Sequence, residues 1–240
     1  MAIISLLAGA FCRSISYDKN RINRPVLPAV FAQKGNISHN HWISIFKEGE
    51  TNMAIKIFID QGHNPQNPNA GAEGNGLREQ DVTYEVGMRL AHLLRANPNF
   101  EVRTSRNTPT EQLGTSNLTS LQQRVYAANS WGANYFISIH CNASYNPQAS
   151  GSEVYVYREN SQAYRMAEHI LIGLEDATGL TNRGVFINPS LYVLRKTTMP
   201  ALLVELGYLT NAYDAALLGS DPQSFANGIY NGILAYFGLK

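Results

Sequence analysis

Short apolar runs alternate with amphipathic stretches along most of this chain. The runs IKIFID at 55–60, YFISIH at 135–140 and ALLVEL at 201–206 are typical of buried strands. Apolar residues recur at helical spacing between residues 82 and 93 and again between 163 and 174. This alternation predicts an α/β fold, a single domain with a mostly parallel central β-sheet of about six strands and helices on both faces.

Shorter patterns complete the predicted sheet. Residues 101–105 predict a short strand. Residues 151–157 alternate between polar and apolar positions, which favours a half-exposed or edge strand. Residues 192–194 are also expected to form a strand because they are a small apolar group close to the run at 201–206.

Capping residues predict where two helices begin. Thr119 and Gln122 fit a capping box ahead of a helix over residues 120–131. Asp221 and Pro222 fit the N-cap and the first position of the final helix.

The first 52 residues follow neither the strand nor the helix pattern. Their opening segment, MAIISLLAGAFC, has no basic residue ahead of its apolar core, unlike a secretory signal peptide. The residues EGE at 48–50 can be encoded by GAA-GGA-GAA, which contains the GGAG of a bacterial ribosome-binding site shortly before the ATG of Met53. We therefore expect residues 1–52 to be either untranslated or a genuine, poorly ordered leader, and residues 53–240 to form the folded domain.

Composition narrows the possible partners. The chain is 44% hydrophobic and 15% charged, as expected for a globular protein, and its net charge of +1 gives no reason to expect a nucleic-acid partner. No apolar run is long enough to span a bilayer. The cysteines, Cys12 and Cys141, are too few to imply a disulfide framework.

Chemically capable residues stand at or just after the ends of the three apolar runs. These are His63, His140 and Glu205. If the three strands run parallel, their carboxyl ends meet at one edge of the sheet, where α/β folds bind ligands. Two imidazoles and a carboxylate suit zinc, which in catalytic sites takes three protein ligands and a water. On this basis Glu205 is either the third ligand or a catalytic base.

A second acid is available beside the first strand. Glu79 and Asp81 both lie at the start of the first predicted helix, and spacing alone does not choose between them. A single histidine at a strand end is more often a hydrogen-bonded surface residue than a ligand, so the metal-site prediction depends on His63, His140 and Glu205 occurring together. Cys141 should face the opposite side of its strand from His140 and therefore the core.

Six motifs, in order, carry a family resemblance: FIDQGH, GLREQDV, LQQRVYAAN, GANYFISIHCNAS, GSEVYVY and MPALLVELGYLTN. Together they resemble the zinc-dependent N-acetylmuramoyl-L-alanine amidases of the Amidase_3 type, over residues 55 to about 239. The resemblance implies that one zinc ion is bound by His63, Glu79 and His140, with Glu205 as the catalytic carboxylate. It also places Arg124 and Asn142 in matching motifs near this edge, where three roles stay open: binding substrate, supporting the ligands, or structural hydrogen bonding.

The implied reaction is hydrolysis of the amide bond between N-acetylmuramic acid and the L-alanine of the peptidoglycan stem peptide. The resemblance implies action on the bacterial cell wall, for example as an autolysin. The protein is expected to act as a monomer. Without a recognisable signal peptide, we expect cytoplasmic synthesis followed by release on lysis or by non-classical export. Two alternatives stay open: another zinc peptidoglycan peptidase, such as a carboxypeptidase, and a non-catalytic wall-binding module, which would not need Glu205.

Overall fold

The computed structural model describes residues 53–239, and the predicted leader, 1–52, lies outside them. No helix within that range is long and apolar enough to cross a membrane. The strands are β1 (Ile55–Gln61), β2 (Glu73–Gly74), β3 (Leu77–Arg78), β4 (Phe100–Thr104), β5 (Tyr135–Asn142), β6 (Ser152–Val156), β7 (Asn182–Ile187) and β8 (Ala201–Tyr208). The helices are α1 (Glu79–Arg95), α2 (Asn117–Trp131), α3 (Gln162–Thr178), α4 (Tyr192–Lys196), α5 (Ala212–Ser220) and α6 (Pro222–Phe237).

Six of the strands form one sheet in the order β4-β1-β5-β8-β6-β7. Strands β4, β1, β5 and β8 run parallel, β6 is antiparallel to β8, and β7 is parallel to β6. Strands β2 and β3 pair separately as a small hairpin. The predicted fold, a mostly parallel six-stranded sheet, is confirmed.

Helices cover both faces because alternate residues of each strand point to opposite sides. Ile57 and Ile59 of β1 belong to the larger core, which includes buried residues of α1, α3 and α6. Phe58 belongs to a smaller core that includes buried residues of α2 and α4. Cys141 is 4% exposed and lies in the larger core, as predicted.

Glycines allow α3 and α6 to approach closely. A Cβ added to Gly232 would lie 2.4 Å from the Cα of Ile170, and one added to Gly228 would lie 2.8 Å from the carbonyl oxygen of Gly173. Larger residues at these positions would push the two helices apart.

Two strand predictions are wrong. Residues 192–194 are part of the helix α4, because so short an apolar run has no period that distinguishes a strand from a helix. The strand predicted over 151–157 is observed as β6, but it is not at the edge, since β7 pairs with its outer side.

The helix starts are partly as predicted. Helix α2 begins one turn earlier than expected, with Ser116 as the N-cap and Thr119 completing the capping box. Asp221 caps α6 and Pro222 is its first residue, as predicted.

Candidate metal centre

The predicted site residues meet at the carboxyl edge of the sheet. Strand β5 is the neighbour of both β1 and β8 and runs parallel to each. His140 and Glu205 are register partners on β5 and β8, so their side chains point to the same face of the sheet. His63 follows the last residue of β1 by two positions.

Glu79 completes a three-residue group with the two histidines. Its Oε1 lies 3.1 Å from His63 Nε2 and 2.9 Å from His140 Nδ1, and potential ligand atoms of all three lie within 4.8 Å of one another. Zinc ligands at about 2.1 Å in a tetrahedral arrangement are about 3.4 Å apart, which is close to the distances from Glu79 Oε1 to the two imidazoles, so this group fits the ion. Asp81, the alternative acid, has a side chain that is 58% exposed and lies 3.4 Å from Arg78.

The backbone holds the Glu79 carboxylate in place. Oε2 accepts a hydrogen bond from the Ala72 amide at 3.0 Å, and Oε1 accepts one from the Cys141 amide at 3.1 Å. Burial raises the pKa of Glu79, but hydrogen bonds and charge attraction from His140 and His63 outweigh it, so the pKa lies below the usual value. An ionised carboxylate is the form that binds a metal.

His63 has an unusual backbone conformation. Its φ of 67° lies in the left-handed region, which is uncommon for residues other than glycine. The preceding carbonyl, of Gly62, accepts a hydrogen bond from Thr83 Oγ1 at 2.8 Å, and the carbonyl of His63 accepts one from Arg124 Nη2. The surrounding contacts therefore stabilise a conformation that points this imidazole at Glu79.

Arg124 lies beneath the centre and is 1% exposed. Its guanidinium forms a buried ion pair with Asp60 at 2.6 Å and also donates to the carbonyl oxygens of Gln61 and His63. A side chain with this burial and these acceptors favours support of a ligand over contact with substrate.

Glu205 is partly buried beside the three-residue group. Among the described residues, four buried side-chain polar atoms lack a hydrogen-bond partner, and two of them, Glu205 Oε2 and His63 Nδ1, belong to this site. Such atoms are rare unless a ligand or water satisfies them. Burial raises the pKa of Glu205 well above its usual value, and repulsion from Glu79 and Glu153 adds to the shift.

Glu153 is a site residue that the sequence pattern did not reveal. It pairs directly with Glu205 across β6 and β8 and is 4% exposed. Its carboxylate accepts hydrogen bonds from the side-chain Nδ2 of Asn142, from Tyr208 Oη at 2.9 Å and from Arg183 Nε at 3.3 Å. The sequence pattern predicted only a half-exposed or edge strand over residues 151–157 and did not single out this acid.

Comparison with known proteins identifies the family. The family model for N-acetylmuramoyl-L-alanine amidase, Amidase_3, matches residues 57–235. The chain belongs to the Amidase_3 family. The family is zinc-dependent in general, and the His63, Glu79 and His140 group provides a place for such an ion.

Individual amidases are similar over most of the chain. The N-acetylmuramoyl-L-alanine amidase CwlM of Bacillus licheniformis is 40% identical over 194 residues, which cover 78% of this chain and 70% of that protein. The sporulation-specific N-acetylmuramoyl-L-alanine amidase of Bacillus subtilis (strain 168) is 35% identical over 191 residues, with 78% and 69% covered. Among solved structures, the catalytic domain of CwlV from Bacillus (Paenibacillus) polymyxa var. colistinus has a TM-score of 0.67 and 34% identity, covering 78% of this chain and 99% of that one.

The predicted enzyme class is therefore confirmed. This Amidase_3 member is a peptidoglycan hydrolase of the N-acetylmuramoyl-L-alanine amidase type, and its action is on the bacterial cell wall.

Substitution of Gly62 would show whether the close packing around His140 is needed for metal binding. A Cβ at this position would lie 2.5 Å from His140 Cε1 and 2.6 Å from the Ile139 carbonyl oxygen. We expect Gly62→Ala to displace the imidazole and to weaken zinc binding by about 10- to 100-fold, as changes next to metal ligands do. Competition with a chromogenic chelator measures this affinity. Gly219→Ala is the control, since its added Cβ would meet only the end of the flexible Leu77 side chain, at 3.2 Å. An equal loss of zinc affinity in both variants would contradict the prediction.

Proposed function

We propose that this amidase cleaves the bond between the lactyl group of N-acetylmuramic acid and L-alanine with one zinc ion held by His63, Glu79 and His140. One observation carries the proposal: three ligand atoms of the right chemistry lie within 4.8 Å of one another, next to a Glu205 carboxylate oxygen that has no protein partner within residues 53–239. The ligand set combines two imidazoles with one carboxylate, as in many catalytic zinc sites.

Glu205 is the proposed general base and acid. A zinc ion held by these residues would supply Lewis-acid chemistry, lowering the pKa of water to about 7 and polarising a carbonyl oxygen. Glu205 takes a proton from the attacking water and transfers it to the nitrogen of the departing L-alanine, because an amine leaves poorly without that proton. Its position opposite His140 on the neighbouring strand supports this role.

The supporting residues have positioning roles. Arg124 holds the carbonyl of His63, and so fixes the direction of that ligand. Asn142 donates to Glu153 and accepts from the Ala143 amide at 2.9 Å, which orders the backbone just after His140. We further propose that the enzyme is active as a monomer, since all the proposed site residues come from one chain.

The test combines metal analysis with product analysis. Purified enzyme should contain one equivalent of zinc and should clear a suspension of cell walls. Chelation should abolish clearing and lower the melting temperature, because an ion that binds the folded state stabilises it, and added zinc should restore both. Mass spectrometry should find peptides that begin with L-alanine and intact glycan strands.

Other product patterns would contradict the proposal. Release of a carboxy-terminal amino acid from the stem peptide would indicate a carboxypeptidase. Wall binding without any new amino terminus in the zinc-loaded protein would indicate a binding module. Full activity after the chelator has removed all metal would exclude the zinc mechanism.

A further inference from the structure

A row of polar side chains continues across the sheet beyond the metal centre. His140 on β5 pairs with Glu205 on β8, and Glu205 pairs with Glu153 on β6. Next on the outside is β7, where Arg183 lies between the register pairs Ser152–Asn182 and Val154–Val185 and contacts Glu153 through its side chain. Register partners point to the same face, so these residues line one surface.

An irregularity in β7 directs Arg183 toward this surface. Three residues of β7 lead from Asn182 to Val185 while β6 advances by two, which places an extra residue in β7. Gly184 has a φ of 103°, in the region that favours glycine. A bulge of this kind changes the direction of a neighbouring side chain.

The Arg183 guanidinium is anchored at one end and exposed at the other. Its Nε lies 3.3 Å from Glu153 Oε2, its Nη1 donates to the Ser150 carbonyl at 3.2 Å, and its centre is 5.3 Å from the Tyr208 ring centroid. The side chain remains 37% exposed, whereas the side chain of Glu153 is 5% exposed. Within residues 53–239, no hydrogen bond uses Nη2, so the guanidinium keeps donors available to a ligand.

We propose that Arg183 binds a carboxylate of the stem peptide, and that this makes the enzyme prefer acidic over amidated stems. The inference rests on the proposed function, in which the scissile bond lies beside Glu205. Arg183 is the cation of the row, and a guanidinium fork matches the geometry of a carboxylate. Glu153 occupies only the Nε donor of Arg183, and its other oxygen accepts from the side chains of Asn142 and Tyr208.

The distance between β8 and β7 matches the length of the first residues of the stem peptide. Two strand spacings, about 10 Å, separate the backbones of β8 and β7. An extended peptide advances about 3.3 Å per residue, so the first two or three stem residues cover that distance. Next to Arg183, Phe186 is 40% exposed and its ring centroid lies 5.7 Å from that of Tyr155, which provides an apolar surface for the same segment.

The experiment compares two soluble muropeptides that are identical except that the stem carboxylates are free in one and amidated in the other. Zinc-loaded wild-type enzyme should have a higher kcat/KM on the free acid. In Arg183→Gln this preference should fall by about tenfold, the factor of one charge-assisted hydrogen bond. The change should appear in KM rather than kcat, because the contact exists before and during bond cleavage.

Matched variants distinguish a loss of carboxylate binding from a general structural effect of the substitution. Arg183→Lys should keep part of the preference because it keeps the charge. Arg165→Gln removes the same charge from an exposed position on α3, which packs on the opposite face, and should leave the preference intact. Zinc content and melting temperature are measured for every variant.

Equal kcat/KM on the acid and the amide in the wild type, or equal losses on both substrates in Arg183→Gln, would overturn the inference. If neither muropeptide is cleaved at the muramoyl–L-alanine bond by zinc-loaded wild type, the proposed function fails instead. The two failures are therefore distinguishable.

Discussion

Replacement of Glu205 by glutamine is expected to lower kcat by about 100- to 10,000-fold, the usual contribution of a general acid–base residue. Glutamine keeps the size of the side chain but neither accepts the proton from water nor delivers one to the leaving amine. Zinc should remain bound at one equivalent, since the proposed ligands are His63, Glu79 and His140. Turnover of a soluble muropeptide, with zinc content measured on the same sample, tests both statements.

Glu101→Gln is the matched control for this variant. Glu101 lies on β4 at the edge of the sheet, exposed to solvent, and its replacement makes the same change in charge without touching the site. A Glu205→Gln enzyme with near-normal turnover would refute the catalytic assignment. A variant that loses its zinc would indicate that Glu205 is a ligand.

Replacement of Arg124 by leucine is expected to reduce the free energy of unfolding by about 3–5 kcal/mol, because it leaves the Asp60 carboxylate buried without its cation. Both partners of the ion pair are 1% exposed, and Arg124 also satisfies the carbonyl oxygens of Gln61 and His63. The segment that carries His63 should loosen, so zinc affinity should fall as well. Denaturant unfolding of chelated protein measures the stability, and chelator competition measures the affinity.

Arg89→Leu provides the contrast. Arg89 pairs with Glu85 at 2.6 Å on the surface of α1, with side chains that are 39% and 49% exposed. Exposed pairs of this spacing contribute about 0.5 kcal/mol or less. Similar losses of unfolding free energy in Arg89→Leu and Arg124→Leu would show that burial of an ion pair does not determine its contribution to stability.

The cost of losing Arg124 should depend on pH. Burial alone would raise the pKa of Asp60, but attraction to Arg124 and hydrogen bonds from Arg124 and Ser138 lower it below its usual value. A folded-state pKa below the unfolded value of about 3.9 contributes stability that is present above that value and is lost as the pH falls through the folded pKa. The stability difference between wild type and Arg124→Leu should therefore be larger at pH 7 than at about pH 3. A stability difference that is the same at both pH values would argue against a stabilising ion pair between Asp60 and Arg124.

Much of the metal centre was predictable from local pattern. IKIFID, YFISIH and ALLVEL identify three strands because a buried strand is a short apolar run between polar segments. Parallel strands bring their carboxyl ends to one edge, so His63, His140 and Glu205 were expected together before any geometry was known. The family resemblance selected Glu79 over Asp81 and supplied the reaction.

Other features depended on contacts between segments that are distant in sequence. Glu79 and Asp81 are equivalent in the local pattern, and Glu79 is distinguished by where α1 begins and by the amides of Ala72 and Cys141. Glu153 lies beside Glu205 because β6 pairs with β8, and beside Arg183 because β7 pairs with the outer side of β6.

By itself, the sequence determined most of the strands and helices and which reactive residues stand at their ends, because periodicity and capping involve residues within a few positions of one another. Only the tertiary structure decided the order of β8, β6 and β7, the helical state of residues 192–194 and the neighbours of each carboxylate. These depend on which surfaces pack together, and packing joins residues that no local pattern connects.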